Sequence, residues 1–244
     1  MKSFAQTFIV MAALLPLTAR AALVTSNQAT SAANAGTVTV SGTGCVSGDY
    51  VILEVTESSN TPSPFTWPSG FTQFAQAINN GANRGPFHLS VTLAWGTAIS
   101  GSYTISNSDG VTLSAIAACW SGRQSVAPTV YAASNNINGS SSPISVSLTG
   151  VTAASGSDLS WWASLTQPGA WVFTAPSGFT PQQTIAPATG IVPVNLSTKD
   201  NASGATGTLT GTATLSGQQA DYAGVVVALP PSSSSTNQSQ GFFF

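Results

Sequence analysis

The sequence predicts an all-β protein built as two tandem β-sandwich domains from an internal duplication, and three observations carry that reading. First, Phe-Thr-Trp-Pro-Ser-Gly-Phe-Thr at Phe65 to Thr72 returns as Phe-Thr-Ala-Pro-Ser-Gly-Phe-Thr at Phe173 to Thr180. Pro68 and Pro176 are 108 residues apart, a domain-sized interval far above the roughly 20 to 50 residues of a solenoid repeat. Second, the apolar residues recur with a period of two, the period of a strand. Third, Pro, Gly, Asn and Ser clusters interrupt these rows at short intervals, as turns do in a sandwich.

Residues 1–21 carry Lys2, an apolar run from Phe8 to Leu17 and then Ala19-Arg20-Ala21. That order is a secretory signal with an Ala-x-Ala cleavage pattern; the alternative is a retained N-terminal arm that docks on a partner. The run is too short to span a bilayer comfortably.

The first sandwich is placed at 22–126. Val38 and Val40 alternate with Thr; Phe87, Leu89, Val91, Leu93 and Trp95 alternate with His88, Ser90, Thr92 and Ala94; Val111, Leu113, Ala115, Ala117 and Cys119 form a third row. These read as strands buried on one face. Phe74 to Ile78 reads as one helical turn.

The second sandwich is placed at 127–231, with Ile144, Val146 and Leu148, then Val192, Val194 and Leu196, and a closing run from Val225 to Leu229. Ser47-Gly48-Asp49 and Ser155-Gly156 with Asp158 each precede an apolar strand, so Asp49 and Asp158 are expected at matching positions as turn caps. Residues 232–244 form a Ser/Gln-rich tail whose Phe242, Phe243 and Phe244 are candidates for docking on a partner, because free in water they would expose a large apolar surface.

In both halves Pro68-Ser69-Gly70 and Pro176-Ser177-Gly178 are structural turns: proline fixes φ, glycine supplies a positive φ, and the flanking aromatics anchor the corner. Only 5% of residues are charged and the net charge is −2, so the surface is neutral and hydroxyl-rich. No basic stripe exists to neutralise phosphates, which argues against nucleic-acid partners.

The Gly-Asp-led apolar strand, the Pro-Ser-Gly-Phe turn, the stretch Lys199 to Thr210 and the closing Val-Val-Val-Ala-Leu-Pro-Pro together resemble a paired β-sandwich family. That family occurs in bacteriophage virion proteins and in secreted bacterial proteins, and a Pro-(Ala/Ser)-Gly-(Trp/Phe) turn recurs in each half. Trp120-Ser121-Gly122-Arg123-Gln124 stands loosely where the family often has Tyr-Arg-Gly-Val-Asp. The resemblance implies a jelly-roll-like sandwich and a non-enzymatic structural role in a virion, as a capsid decoration or tail-associated subunit. It carries over no catalytic residue.

The residues themselves supply little chemistry. His88 is the one histidine; a multi-histidine metal site is ruled out, a Ser-His-Asp arrangement has little room, and the ring is expected to face solvent. The carboxylates are scattered without the local pairing that glycoside hydrolysis needs. No catalytic residue, metal ligand or cofactor is therefore expected. Cys45 and Cys119 either form a disulfide after export or stay reduced inside a cell. Trp161 and Trp162, adjacent on a strand, must point to opposite faces; one of them is a candidate glycan-stacking platform, against core packing.

The expected partners are other virion proteins or copies of this chain in an oligomeric assembly, with no stable membrane span. An exported bacterial surface or adhesion module that binds glycans is the alternative, suggested by the signal-like segment and the six tryptophans.

Overall fold

A computed structural model describes residues 22–59, 63–80, 88–99, 101–186 and 192–231, with backbone alone at 137–140. Residues 1–21 and residues 232–244, with the three terminal phenylalanines, lie outside the described residues. The described residues contain fifteen strands and no helix.

The first half holds β1 (Ala22–Thr30), β2 (Thr37–Ser41), β3 (Tyr50–Ser59), β4 (Thr72–Asn79), β5 (His88–Thr97), β6 (Ser102–Ser106) and β7 (Leu113–Ser121). The second half holds β8 (Val130–Ser141), β9 (Ile144–Leu148), β10 (Thr152–Leu165), β11 (Val172–Thr174), β12 (Thr180–Ile185), β13 (Val194–Ala205), β14 (Leu209–Thr214) and β15 (Gln219–Ala228).

Both halves are wound alike. One large sheet runs β1-β7-β3-β5-β4; the other, read from its far edge, runs β8-β15-β10-β13-β12. The small sheets follow suit, β2-β6 in the first half and β9-β14-β11 in the second. The place of β11 is held in the first half by an isolated bridge from Thr66 to Ser106.

The two Pro-Ser-Gly turns close in the same way. Phe71 N–H donates to Pro68 O at 3.0 Å and Phe179 N–H to Pro176 O at 3.0 Å, with Gly70 at φ 84° and Gly178 at φ 78°. A positive φ at the third residue is the type II corner that favours glycine. Each turn leads into an edge strand with a bulge at the same place, between Gln73 and Ala75 in β4 and between Pro181 and Gln183 in β12. Phe74 to Ile78 is thus bulged strand and not a helical turn, because its backbone groups are drawn into the ladder with β5. Pro181 is tolerated because β12 lies at a sheet edge.

The central strands of the large sheets are buried on both faces, and there the expectation of half-buried strands fails, whereas the edge strands β1, β4, β8 and β12 keep exposed or half-exposed residues. Along β3 the residues Tyr50, Val51, Ile52, Leu53, Glu54 and Val55 are all buried. Tyr50 and Ile52 join a central cluster that also contains Leu93, Trp120, Trp162, Leu196 and Val225. This cluster mixes both halves, so the large sheets pack face to face. On the outer faces, Val51, Leu53 and Cys119 pack with Val38, Tyr103 and Phe71, while Trp161, Leu159 and Val226 pack with Val146, Phe179 and Ala213. The result is four layers, with a small sheet outside each large one.

At the seam, β1 lies against β12 and β4 against β8. Since β8 occupies the place of β1 and β12 the place of β4, the first strand of each half meets the far edge strand of the other half's large sheet. This is the reciprocity of an isologous dimer, realised within one chain.

Candidate functional site

The seam concentrates the unusual chemistry. Arg123 follows β7, and its side chain crosses into the second half. Its Nη1 donates to Gly156 O and Pro230 O, each at 2.8 Å, and its Nη2 forms an ion pair with Asp158. The other carboxylate oxygen of Asp158 accepts the Asn201 N–H at 3.0 Å. Both side chains are essentially inaccessible. A charge buried this deeply needs its partner, and the carbonyls satisfy further guanidinium N–H groups. Burial drives the nearby Tyr50 phenol strongly upward in pKa, against the opposing pull of the Arg123 charge.

Asp158 is therefore not the expected local turn cap: it lies within β10, accepts the N–H of Asn201 from the neighbouring strand β13, and anchors the two halves. It is not the counterpart of Asp49. With the 108-residue spacing of the turns, Tyr50 matches Asp158 and Asp49 matches Ser157, which keeps inward faces inward; Asp49 is a local cap that accepts the Val46 N–H at 2.9 Å. The sequence offered one signal for Arg123, an isolated cation at the exit of a strand, and no signal for its partner.

Next to the ion pair, an apolar groove of about 300 Å³ opens on the second half beside the segment that connects the halves, lined by Val126, Ala127, Val130, Ala154, Leu229 and Pro231 among others. Val126 and Val130, with the neighbouring Tyr131, are among the few exposed large apolar side chains.

Most carboxylates are consumed by the fold. Of seven Asp and Glu residues, Asp49, Glu54, Glu57, Asp158 and Asp221 are buried. Glu54 lies on the face of β3 that meets the opposite sheet; burial pushes its carboxyl up to about 8, against hydrogen bonds from Thr56 and the Ile116 backbone. Glu57 is pushed up to about 7 by burial and then by the charge of Asp109, while Ser90 and Asn107 donate to it and oppose the shift. Asp109 in turn accepts the Ser63 N–H at 2.8 Å and the Ser59 hydroxyl at 3.2 Å. Among the described residues, no group of three or more His, Cys, Asp or Glu could hold a metal ion.

The other predicted residues fall as follows. Cys45 and Cys119 form a disulfide with a Cα–Cα distance of 5.8 Å, tying the loop before β3 to the end of β7. Trp161 and Trp162 do point to opposite faces, but both faces are interior: Trp161 packs in the outer cluster of the second half and Trp162 in the central one. Neither can stack on a glycan, because each side of the sheet is covered by another layer. His88 is partly exposed at the start of β5 and its Nδ1 lies 2.9 Å from Asn80 Oδ1; farther along the same face Ser90 and Thr92 are buried. No described helix is long and apolar enough to cross a membrane.

Comparison with protein-family models, with curated proteins and with solved structures finds no match to this chain.

Proposed function

We propose that this chain is a non-enzymatic structural protein of a bacteriophage virion, a capsid decoration or tail-associated subunit that acts through contacts with copies of itself or other particle proteins. The observation that carries this reading is the apolar groove on the second half beside the connecting segment, lined in part by exposed Val126 and Val130. Its surroundings fit a packing surface. Five of the seven carboxylates are withdrawn into the interior, which leaves little charge to repel a neighbour. The occupant proposed for the groove is the Phe242-Phe243-Phe244 segment of a neighbouring copy, delivered on the polar tether of Ser232 to Gln240.

Light scattering on the purified chain tests this. The expected result is a concentration-dependent oligomer that Val130→Asp, or removal of Gly241 to Phe244, converts to monomer without changing the melting temperature. An oligomer that persists in both variants overturns the tail-in-groove contact, and a strict monomer that never joins a particle overturns the virion reading.

A second reading, an exported bacterial surface protein, is favoured by the Cys45–Cys119 disulfide, since such bonds persist in oxidising compartments. The mature N-terminal residue, read by mass spectrometry, separates the two. Met1 or Lys2 in the assembled particle removes the export argument, and a start at Ala22 supports it.

A further inference from the structure

The two described cations have opposite fates. Arg123 is buried in its ion pair, whereas Lys199 stands exposed on β13 and its ammonium makes no ion pair or hydrogen bond with any described residue. Lys199 lines an open cleft of about 620 Å³ together with Ser177, Asn201, Ser203 and Thr208. The polar ends of these four side chains likewise make no hydrogen bond among the described residues. The floor includes Leu159 and Ala202, both buried.

Two features mark this cleft as built. Asn201 is held in the left-handed region, at φ 51°, which asparagine adopts more readily than most residues other than glycine. Its N–H is pinned by Asp158, which Arg123 holds from the other half. The second feature is the contrast between halves. Lys199 pairs with Leu159 across the ladder, and the corresponding partner of Val51 is Gly96. A Cβ at Gly96 would fall 2.9 Å from Gly70 O and against the Phe71 ring, so the first half is closed at this place by its own turn. In the second half the Pro176-Ser177-Gly178 turn stands back, with the Lys199 ammonium 3.6 Å from where a Cβ on Gly178 would sit. The cleft exists where glycine has given way to lysine.

We infer that this cleft binds an anionic carbohydrate, with a sugar carboxylate or sulfate against the Lys199 ammonium and ring hydroxyls against Ser177, Asn201, Ser203 and Thr208. One cation suits one anionic group per binding unit, whereas nucleic acid requires several to displace its counterions. The lining contains no aromatic ring, so a neutral sugar would find no stacking face. The volume lies within the range of about 300 to 1,000 Å³ that holds small ligands. A cleft also concentrates the field of a single charge. The site does not depend on whether the chain builds a virion or is exported.

Calorimetric titration of the full chain tests it, with oligogalacturonate, a sulfated dextran oligosaccharide, neutral dextran and inorganic sulfate as probes. The expected result is saturable binding of at least one anionic oligosaccharide and none of neutral dextran. Lys199→Gln should weaken that binding at least tenfold at unchanged melting temperature, and Lys199→Arg should retain most of it. Asn201→Gly keeps the backbone conformation and removes the amide, and should weaken binding severalfold. The acidic sugars distinguish carboxylate from sulfate as the anchor. Binding unaffected by Lys199→Gln, inorganic sulfate binding as tightly as the sulfated sugar, or no binding of either acidic sugar overturns the proposal.

Discussion

Arg123 and Asp158 form an ion pair that spans the two halves of one chain, with neither side chain accessible to water. Arg123 belongs to the segment leaving β7 and Asp158 to the bulged start of β10. Removing one partner leaves the other charge buried and unpaired, which costs about 3–5 kcal/mol. Arg123→Met and Asp158→Leu should each lower the urea midpoint strongly, while the double variant recovers much of the loss. Additive losses in the double variant would show that the pair does not act as a unit.

The disulfide makes a separate contribution. It closes a span of 74 residues, for which constraint of the unfolded chain supplies about 4 kcal/mol. Cys45→Ser, Cys119→Ser and reduction of the native protein should each shift the urea midpoint downward by the same amount. An unchanged midpoint after reduction contradicts the bond.

Glu54 predicts a direction of pH dependence. Its folded-state pKa, about 8, lies above the ordinary 4.5, so the folded protein holds a proton that the unfolded chain releases. The contribution is full below about pH 4.5, declines as pH rises and is lost above about 8. Glu57, raised to about 7, acts in the same direction over a narrower window. Glu54→Gln should flatten the fall in melting temperature between pH 5 and 9 and raise stability at pH 9. A wild-type melting temperature that climbs across this range would refute the assignment.

The matching corners make paired predictions. Gly70 and Gly178 have φ near +80°, where a Cβ costs about 1–2 kcal/mol. Nothing crowds a Cβ at Gly70, and at Gly178 the nearest atom is the end of the flexible Lys199 side chain. Gly70→Ala and Gly178→Ala should therefore destabilise by similar amounts in equilibrium unfolding. A neutral effect at one and a large loss at the other would count against equivalent roles for the two corners.

What the sequence determined by itself was local. A period of two in the apolar residues specified strands, because alternate side chains of an extended backbone face opposite ways. Pro-Ser-Gly specified two corners, because proline and glycine restrict which φ values fit. The shared strand order followed the same landmarks. Tertiary structure decided which faces met. Periodicity shows that the two sides of a strand differ, but it does not tell solvent from a second protein layer. Ser90 and Thr92 therefore read as the wet side of a strand, and only the stacked layers show them buried. The Arg123–Asp158 pair and the cleft at Lys199 were hidden for the same reason. Each depends on side chains distant in sequence being brought together by packing between sheets, and no local spacing encodes that.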